Sequence, residues 1–197
     1  MGLRYVALGD SYTIGTSVRE DERWPNQLVA ALDGALELVA NPAVNGYTSA
    51  DVLRDELPVF ARSDPELASL LIGVNDVVQG VPDATYAANV AVILDELLER
   101  LPANRIVCLA TPDYTLTPRG ADYGAPHERR AGITRVNALL AAACRVREIT
   151  FVPQIFAISG RVAQDPRLVA GDGLHPSGAQ YALWTDAIGR VVRGLLS

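Results

Sequence analysis

A serine placed as a nucleophile would be lies near the start of the chain. An apolar run at residues 5–8 predicts a buried strand, and Gly9 and Asp10 then indicate a sharp turn, so Ser11 follows the carboxyl end of that strand. Ligands bind along this edge in open α/β sheets. A hydroxyl there can attack a carbonyl and its backbone N–H can stabilise an oxyanion, although the same residue types also satisfy turns and helix starts.

A histidine and an aspartate near the other end of the chain are the residue types that activate such a serine. His175 follows Asp172 by three residues, in a predicted turn before the last helix. An imidazole accepts a proton close to neutral pH, because it titrates near ~6.5 when unperturbed. A carboxylate within one turn can hold its Nδ1–H and stabilise the imidazolium. Ser11, His175 and Asp172 are therefore the candidate catalytic residues.

Two further interruptions of the chain supply candidate donors for an oxyanion. Gly46 lies in a turn after the second predicted strand, and Asn75 follows the third. Parallel strands present their carboxyl ends at one edge, so both residues are expected to converge with Ser11. The backbone N–H groups of Ser11 and Gly46 and the side-chain amide of Asn75 would form the oxyanion hole. The missing Cβ of Gly46 is expected to let a substrate approach the backbone.

The other polar residues near these turns are assigned structural roles. Asp10 is expected to accept hydrogen bonds from amides of its own turn, and Asp76 to cap or brace its loop. His127 lies in a polar segment and is expected to be solvent-exposed. With two histidines in the chain, a histidine-rich metal site is not expected, and no cofactor is predicted.

Strand-like and helix-like stretches alternate along the chain, which predicts a single α/β domain over residues 1–197. Strands are expected at residues 5–8, 36–39, 67–72, 105–110 and 149–152. Helices are expected at residues 24–34, 48–57, 85–101, 130–147 and 177–195, with a short one near 156–162. The predicted fold is a three-layer α/β/α, flavodoxin-like domain whose parallel sheet has the order 2-1-3-4-5.

Local signals also predict how some of these elements begin and end. Thr48 or Ser49 is expected to cap the second helix, which should end before Pro58. Ser177 and Gln180 have the spacing of a capping box for the last helix. A long polar connection over residues 113–128 follows the fourth strand and could wall or cover the crevice.

The charge and composition of the chain limit its partners. The net charge of −6 leaves no excess of basic side chains to bind a nucleic acid. Cys108 and Cys144 lie in apolar runs and are expected to be buried thiols, as in a reducing compartment. The first strand begins too early to leave room for a signal peptide, and no apolar run reaches the ~20 residues of a membrane span. These features predict a cytoplasmic protein that acts on a small molecule, and they leave its oligomeric state open.

Four short blocks of the sequence resemble those of the SGNH (GDSL-type) hydrolases. They are Gly9-Asp10-Ser11, Asn45-Gly46, Gly73-Val74-Asn75-Asp76 and Asp172-Gly173-Leu174-His175-Pro176. Each block is weak alone, but the four occur in order at predicted sheet edges and cover nearly the whole chain. The resemblance implies a flavodoxin-like fold and serine esterase or lipase activity without a metal. It also implies that Ser11, Gly46, Asn75 and His175 are the name-giving residues, with Asp172 completing the triad.

One residue departs from the family pattern. Many members carry leucine or another apolar residue shortly after the serine, where this chain has Tyr12 followed by Thr13. This departure is expected not to touch the catalytic atoms.

The leading hypothesis is a serine esterase that forms an acyl-enzyme on Ser11. An acyltransferase, a lysophospholipase or a thioesterase using the same site is the alternative, and a non-catalytic sugar- or lipid-binding module is the candidate from another class. A flavodoxin-like redox protein is disfavoured because the loops lack a phosphate-cradling signature. The chain shows neither an extra domain nor a long apolar lid, which favours small or short-acyl substrates such as acetyl esters.

Overall fold

A five-stranded parallel sheet forms the centre of the computed structural model, which describes residues 2–196. The strands are β1 (Leu3–Gly9), β2 (Leu36–Ala40), β3 (Leu67–Leu71), β4 (Ile106–Leu109) and β5 (Thr150–Val152). Their order in the sheet is β2-β1-β3-β4-β5, and each neighbouring pair is parallel. The predicted fold class and strand order are therefore confirmed.

Helices connect the strands and cover the sheet. Within the described residues they are α1 (Ser11–Ile14), α2 (Trp24–Ala31), α3 (Ser49–Asp51), α4 (Leu57–Arg62), α5 (Val74–Gln79), α6 (Asp83–Leu98), α7 (Pro126–Arg145), α8 (Gln154–Ser159) and α9 (Gly178–Leu196). A π-helical segment, Val52–Glu56, joins α3 to α4. None of the helices in this part of the chain is both long and apolar enough to cross a membrane.

Alternate residues of β1 pack into two different apolar cores. Tyr5 and Ala7 belong to the core that contains buried side chains of α2, α8 and α9, whereas Val6 and Leu8 belong to the core that contains those of α6 and α7. All four residues have no exposed surface. A strand that is apolar on both faces is typical of a parallel sheet with helices on both sides. The sheet is therefore the middle layer of three.

Three predictions about single side chains are confirmed. Cys108 on β4 and Cys144 on α7 are both buried, and both are free thiols. They belong to the same apolar core, where they pack as small apolar side chains. The side chain of His127, at the start of α7, is 85% exposed.

The helix that begins at Ser49 does not end before Pro58, which corrects the sequence prediction. It continues through the π-helical segment and α4 as far as Arg62. The N–H of Leu57 donates to the carbonyl of Val52, five residues earlier, and Pro58 then lies in the first turn of α4. A proline lacks an N–H and its ring collides with the preceding turn of a regular helix. The wider π turn supplies the space that the ring needs.

Two other boundaries differ from the sequence prediction. α7 begins at Pro126, a residue favoured at the first helical position, so the polar connection is shorter than residues 113–128. The capping box of α9 is only half formed. The Oγ of Ser177 accepts from the Gln180 N–H at 3.4 Å, but Nε2 of Gln180 donates to the carbonyl of Leu168 at 2.8 Å. A tertiary hydrogen bond has replaced the local one.

The strand register brings the functional turns to one edge. Gly9 at the end of β1 pairs with Leu71 at the end of β3, so the segments that leave these two strands emerge side by side. One leads to Ser11 and the other to Asn75. β2 lies on the opposite side of β1 from β3, and this reversal of strand order is where doubly wound sheets form a crevice.

Candidate active site

Ser11 is the first residue of a one-turn helix. β1 ends at Gly9 and α1 begins at Ser11, with Asp10 as the N-cap. Oδ1 of Asp10 accepts a hydrogen bond from the N–H of Tyr12 at 3.0 Å, which is the structural role predicted for it. The first N–H groups of a helix have no acceptor within the helix. The N–H of Ser11 is therefore suited to binding an anionic oxygen.

His175 and Asp172 form a hydrogen-bonded pair. Nδ1 of His175 lies 2.6 Å from Oδ2 of Asp172. Because a carboxylate only accepts hydrogen bonds, Nδ1 is assigned the proton and Nε2 is left as an acceptor. Oδ1 of Asp172 accepts from the N–H groups of Leu174 and His175 at 2.9 and 3.0 Å. Partial burial alone would raise the pKa of Asp172, but hydrogen bonds from Leu174, the His175 ring and Ser17 hold that pKa well below its usual range.

The segment after α1 contacts both sides of the site, a feature that the sequence analysis missed. Oγ of Ser17 donates to Oδ2 of Asp172 at 2.7 Å. Its neighbour Thr16 donates through Oγ1 to Oδ1 of Asn45, in the turn that contains Gly46. These partners are 155 and 29 residues apart in the chain. No local pattern identifies such contacts, because they exist only once the strands have assembled.

The helix α5 holds the two oxyanion-donor candidates together. Nδ2 of Asn75 donates to the carbonyl of Tyr47 at 2.8 Å, and Nε2 of Gln79 donates to the carbonyl of Gly46 at 3.0 Å. Asn75 and Gln79 are four residues apart and lie on the same face of α5, so this helix binds the segment around Gly46 through two amide side chains. A side-chain amide carries two N–H donors, and the bond to Tyr47 uses only one of them. Gln79 was not identified from the sequence.

Gly46 owes its identity to its backbone conformation. Its φ is 84°, in the left-handed region that favours glycine, and a Cβ built at this position meets no atom within 4 Å. The protein thus leaves the space next to Gly46 open. The approach of a substrate to this backbone, which the sequence analysis expected, requires such a space.

Tyr12 lies beside the histidine of the site. Its ring centroid is 5.5 Å from that of His175, with an interplanar angle of 58°, and 6.2 Å from that of Trp184. Tilted aromatic pairs at these distances attract each other. The prediction that Tyr12 stays clear of the catalytic groups is therefore wrong, since its ring packs beside the imidazole and restricts how that ring can turn.

Three buried carboxyl groups lie around the serine turn. Oε2 of Glu56 accepts from the N–H of Gly9 at 2.8 Å, and Asp76 accepts from the N–H and the hydroxyl of Ser49 at 3.0 and 2.5 Å. Burial is the main cause that raises the pKa of Asp10 to about 8 and the pKa of Glu56 to about 8. Burial also raises the pKa of Asp76. Asp76 has a structural role, but its bonds join α5 to Ser49 at the start of α3 and do not brace its own loop as predicted. Glu56 was not singled out from the sequence.

The predicted residues meet at one open pocket of about 250 Å³. Its lining is Ser11, Tyr12, Asn45, Gly46, Val74, Asn75, Val78, Tyr114, Tyr123, Leu174 and His175. The nucleophile, base and oxyanion-donor candidates thus share one cavity, and Asp172 reaches it through its bond to His175. Among residues 2–196, no group of three or more His, Cys, Asp or Glu side chains is arranged to hold a metal ion.

A doubly wound α/β/α fold that places a serine, a histidine–aspartate pair and amide donors at one sheet edge defines a hydrolase-like class of protein. The sequence matches the model of the GDSL-like lipase/acylhydrolase family over residues 7–183, and the chain belongs to that family. The resemblance found in the sequence is confirmed, and the protein is a carboxylic ester hydrolase.

Solved structures with the same fold cover nearly all of this chain. A lipolytic G-D-S-L family protein from Veillonella parvula has 15% identity and a TM-score of 0.77, over 96% of this chain and 98% of its own. The acetylxylan esterase Axe2 from Geobacillus stearothermophilus has 19% identity and a TM-score of 0.76, over 98% and 94%. A lipase/acylhydrolase from Enterococcus faecalis has 19% identity and a TM-score of 0.72, over 98% and 96%. No curated protein sequence matches the chain.

Proposed function

We propose that the protein hydrolyses short-acyl carboxylic esters, such as acetyl esters, through an acyl-enzyme on Ser11. The observation that carries the proposal is the convergence of Ser11, His175, Gly46 and Asn75 on one pocket of about 250 Å³. This volume lies below the roughly 300–1,000 Å³ of sites for drug-sized ligands, which favours a small substrate. The description of the Geobacillus protein of the same fold as an acetylxylan esterase is consistent with an acetyl ester.

In the first half of the proposed reaction, the ester carbonyl binds with its oxygen toward the N–H groups of Ser11 and Gly46 and Nδ2 of Asn75. Nε2 of His175 takes the proton of Ser11 Oγ as that oxygen attacks the carbonyl carbon. The imidazolium that forms is stabilised by Asp172, whose carboxylate lies 2.6 Å from Nδ1. His175 then gives the proton to the leaving alkoxide, and the acyl group stays on Ser11.

In the second half, water replaces the alcohol. His175 takes a proton from the water, which attacks the acyl carbonyl, and the same amide donors bind the second oxyanion. Return of the proton to Ser11 Oγ releases the carboxylic acid. The pair of Tyr12 with the imidazole keeps the ring in position through both proton transfers.

Labelling by a fluorophosphonate tests this proposal. The reagent should modify folded wild-type protein once, at Ser11, and abolish hydrolysis of p-nitrophenyl acetate. Ser11→Ala should take no label and should lose activity by about 10³-fold or more, since the attacking group is gone.

Ser63→Ala is the matched control. The Oγ of Ser63 donates to the carbonyl of Val59 in α4, outside the pocket, so this variant should be labelled like wild type. Full activity of folded Ser11→Ala, or labelling of wild type at another residue, would contradict the proposed function.

A further inference from the structure

The loop over residues 113–125, between β4 and α7, is bonded at its first residue to two helices. Asp113 is 1% exposed and its Oδ2 accepts from Nη1 of Arg130 on α7 at 2.5 Å. Its Oδ1 accepts from the N–H and the hydroxyl of Thr115 at 3.0 and 2.6 Å. The N–H of Asp113 donates to Oγ of Ser159 on α8 at 2.8 Å. A buried carboxylate with this many partners holds its segment in one conformation.

The middle and the end of the loop are bonded to two other parts of the site. The N–H of Arg119 donates to the carbonyl of Gly173, within the turn that carries Asp172 and His175, at 3.0 Å. Farther along, Arg129 on α7 donates through Nε to the carbonyl of Tyr123 and through Nη1 to the carbonyl of Val77 on α5, both at 2.7 Å. Arg129 thus joins the end of the loop to the helix that carries Asn75.

Gly124 allows the guanidinium of Arg129 to reach these carbonyls. A Cβ at this position would lie 2.5 Å from Nε of Arg129, closer than two such atoms can come. Its φ of 118° also excludes most other residues. The backbone at Gly124 and the side chain of Arg129 therefore depend on each other.

This bonding holds two tyrosines in the wall of the pocket. Tyr114 is 3% exposed and Tyr123 is 36% exposed, and both line the pocket. Their ring centroids are 6.0 Å apart with an interplanar angle of 78°, an edge-to-face pair. The contacts at Asp113, Arg119 and Arg129 are those of a fixed wall, not of an untethered lid.

We propose that Tyr123 sets the upper limit on the length of the acyl group that the pocket accepts, and that Arg129 is the positioning residue that holds Tyr123 there. This inference rests on the proposed function. Arg129 ties Tyr123 to α5, which supplies the apolar wall residues Val74 and Val78 and the oxyanion donor Asn75. The leaving alkoxide must face His175 to receive its proton. The wall joined to α5 is therefore assigned to the acyl half of the substrate.

Two series of esters test the assignment. The first varies the acyl group as p-nitrophenyl acetate, butyrate and octanoate, and the second varies the alcohol as phenyl and 1-naphthyl acetate. Wild type should show kcat/KM falling steeply beyond the short acyl groups. Tyr123→Ala should raise the octanoate-to-acetate ratio of kcat/KM by at least about tenfold, because a single methylene in a matched pocket changes such ratios by about 10–200-fold.

Four further variants distinguish an effect of the pocket wall on acyl length from general damage to the fold. Tyr123→Phe keeps the ring and should keep the wild-type acyl ratio. Leu116→Ala alters another exposed apolar side chain of the loop, 42% exposed and outside the pocket lining, and should behave as wild type. Arg129→Gln should shift the acyl ratio in the direction of Tyr123→Ala by a smaller factor, mainly through a lower KM for octanoate. Arg129→Lys, which keeps a positively charged donor in place of the neutral amide of glutamine, should lie between wild type and Arg129→Gln.

The outcomes separate this inference from the proposed function. An unchanged acyl ratio in Tyr123→Ala that still folds and takes the fluorophosphonate overturns the inference and leaves the proposed function standing. A shift confined to the alcohol series also overturns it, because Tyr123 would then face the leaving group. Folded wild type that takes no fluorophosphonate and cleaves no ester contradicts the proposed function and removes the inference with it.

Discussion

Replacing Glu56 with glutamine should stabilise the protein at neutral and alkaline pH. Glu56 has no exposed surface, and its Oε2 accepts from the N–H of Gly9 while its Oε1 has no partner within the described residues. Oδ2 of Asp10 is also buried without a partner there. A glutamine can keep the acceptor for Gly9 and place an NH₂ group where an ionised carboxylate would lie. The variant removes a buried charge and retains the hydrogen bond.

The size of the effect follows from the pKa of Glu56. Burial, opposed by the hydrogen bond from Gly9 and reinforced by the charge of Asp10, raises that pKa from 4.5 to about 8. The folded state therefore keeps a proton that the unfolded chain loses, so the stability from this group is fully present below pH 4.5 and is lost as the pH rises toward 8. A change of one unit in the pKa corresponds to about 1.4 kcal/mol. The rise of the Glu56 pKa from 4.5 to about 8 therefore makes the whole loss of stability on the order of 4–5 kcal/mol as an upper bound.

Urea unfolding at pH 5, 6.5 and 8 measures this effect. The free energy of unfolding of Glu56→Gln minus that of wild type should be about 1 kcal/mol or less at pH 5 and should grow to about 2–5 kcal/mol at pH 8, with equal m values. Glu96→Gln on α6 changes an exposed carboxylate and should leave the pH dependence as in wild type. If the free energy of unfolding of Glu56→Gln changed with pH in parallel with that of wild type, or lay below it at pH 8, Glu56 would not be a buried carboxyl that resists ionisation.

Two substitutions test the groups around Ser11. Asn75→Ala should lower kcat for p-nitrophenyl acetate by about 10²–10³-fold with a small change in KM, because the lost amide N–H acts on the transition state. A rise in KM of the same size with unchanged kcat would argue against Asn75 as an oxyanion donor. Asp172→Asn should lower kcat by about 10³–10⁴-fold. The carboxylate accepts from Nδ1 of His175 at 2.6 Å, and an amide in its place permits the wrong tautomer of the ring. A decrease in kcat of less than tenfold in folded protein would show that Asp172 does not orient the ring.

Features with a local cause could be predicted from the sequence. The apolar runs that became β1 and β3, and the glycine turns at their ends, depend on residues within a few positions of one another. Once a parallel sheet with the order 2-1-3-4-5 is inferred, its carboxyl edge brings Ser11 and Asn75 together without further information. The spacing of Asp172 and His175 likewise lies within a single turn. These local signals were enough to predict the fold class and the residues of the candidate site.

Local signals failed where a tertiary contact competed with them. Pro58 indicated the end of a helix, yet the chain continued through a π-helical segment that gives the ring its space. Gln180 had the spacing of a capping box, but its side chain bonds to Leu168 instead. Tyr12 was expected not to touch the catalytic atoms. The packing of α1 beside the turn that carries Asp172 and His175 instead brought its ring next to the imidazole.

Only the tertiary structure identified the residues that hold the site in shape. Ser17 reaches Asp172, Glu56 reaches Gly9, and Arg129 reaches Val77 across separations of 155, 47 and 52 residues. A sequence pattern records periodicity and turn chemistry, which depend on near neighbours along the chain. A hydrogen bond between distant residues depends on how whole elements pack. The residues next to each partner in the sequence do not indicate that the bond will form. The sequence by itself therefore determined which groups meet at the sheet edge, and the folded chain determined how rigidly they are held there.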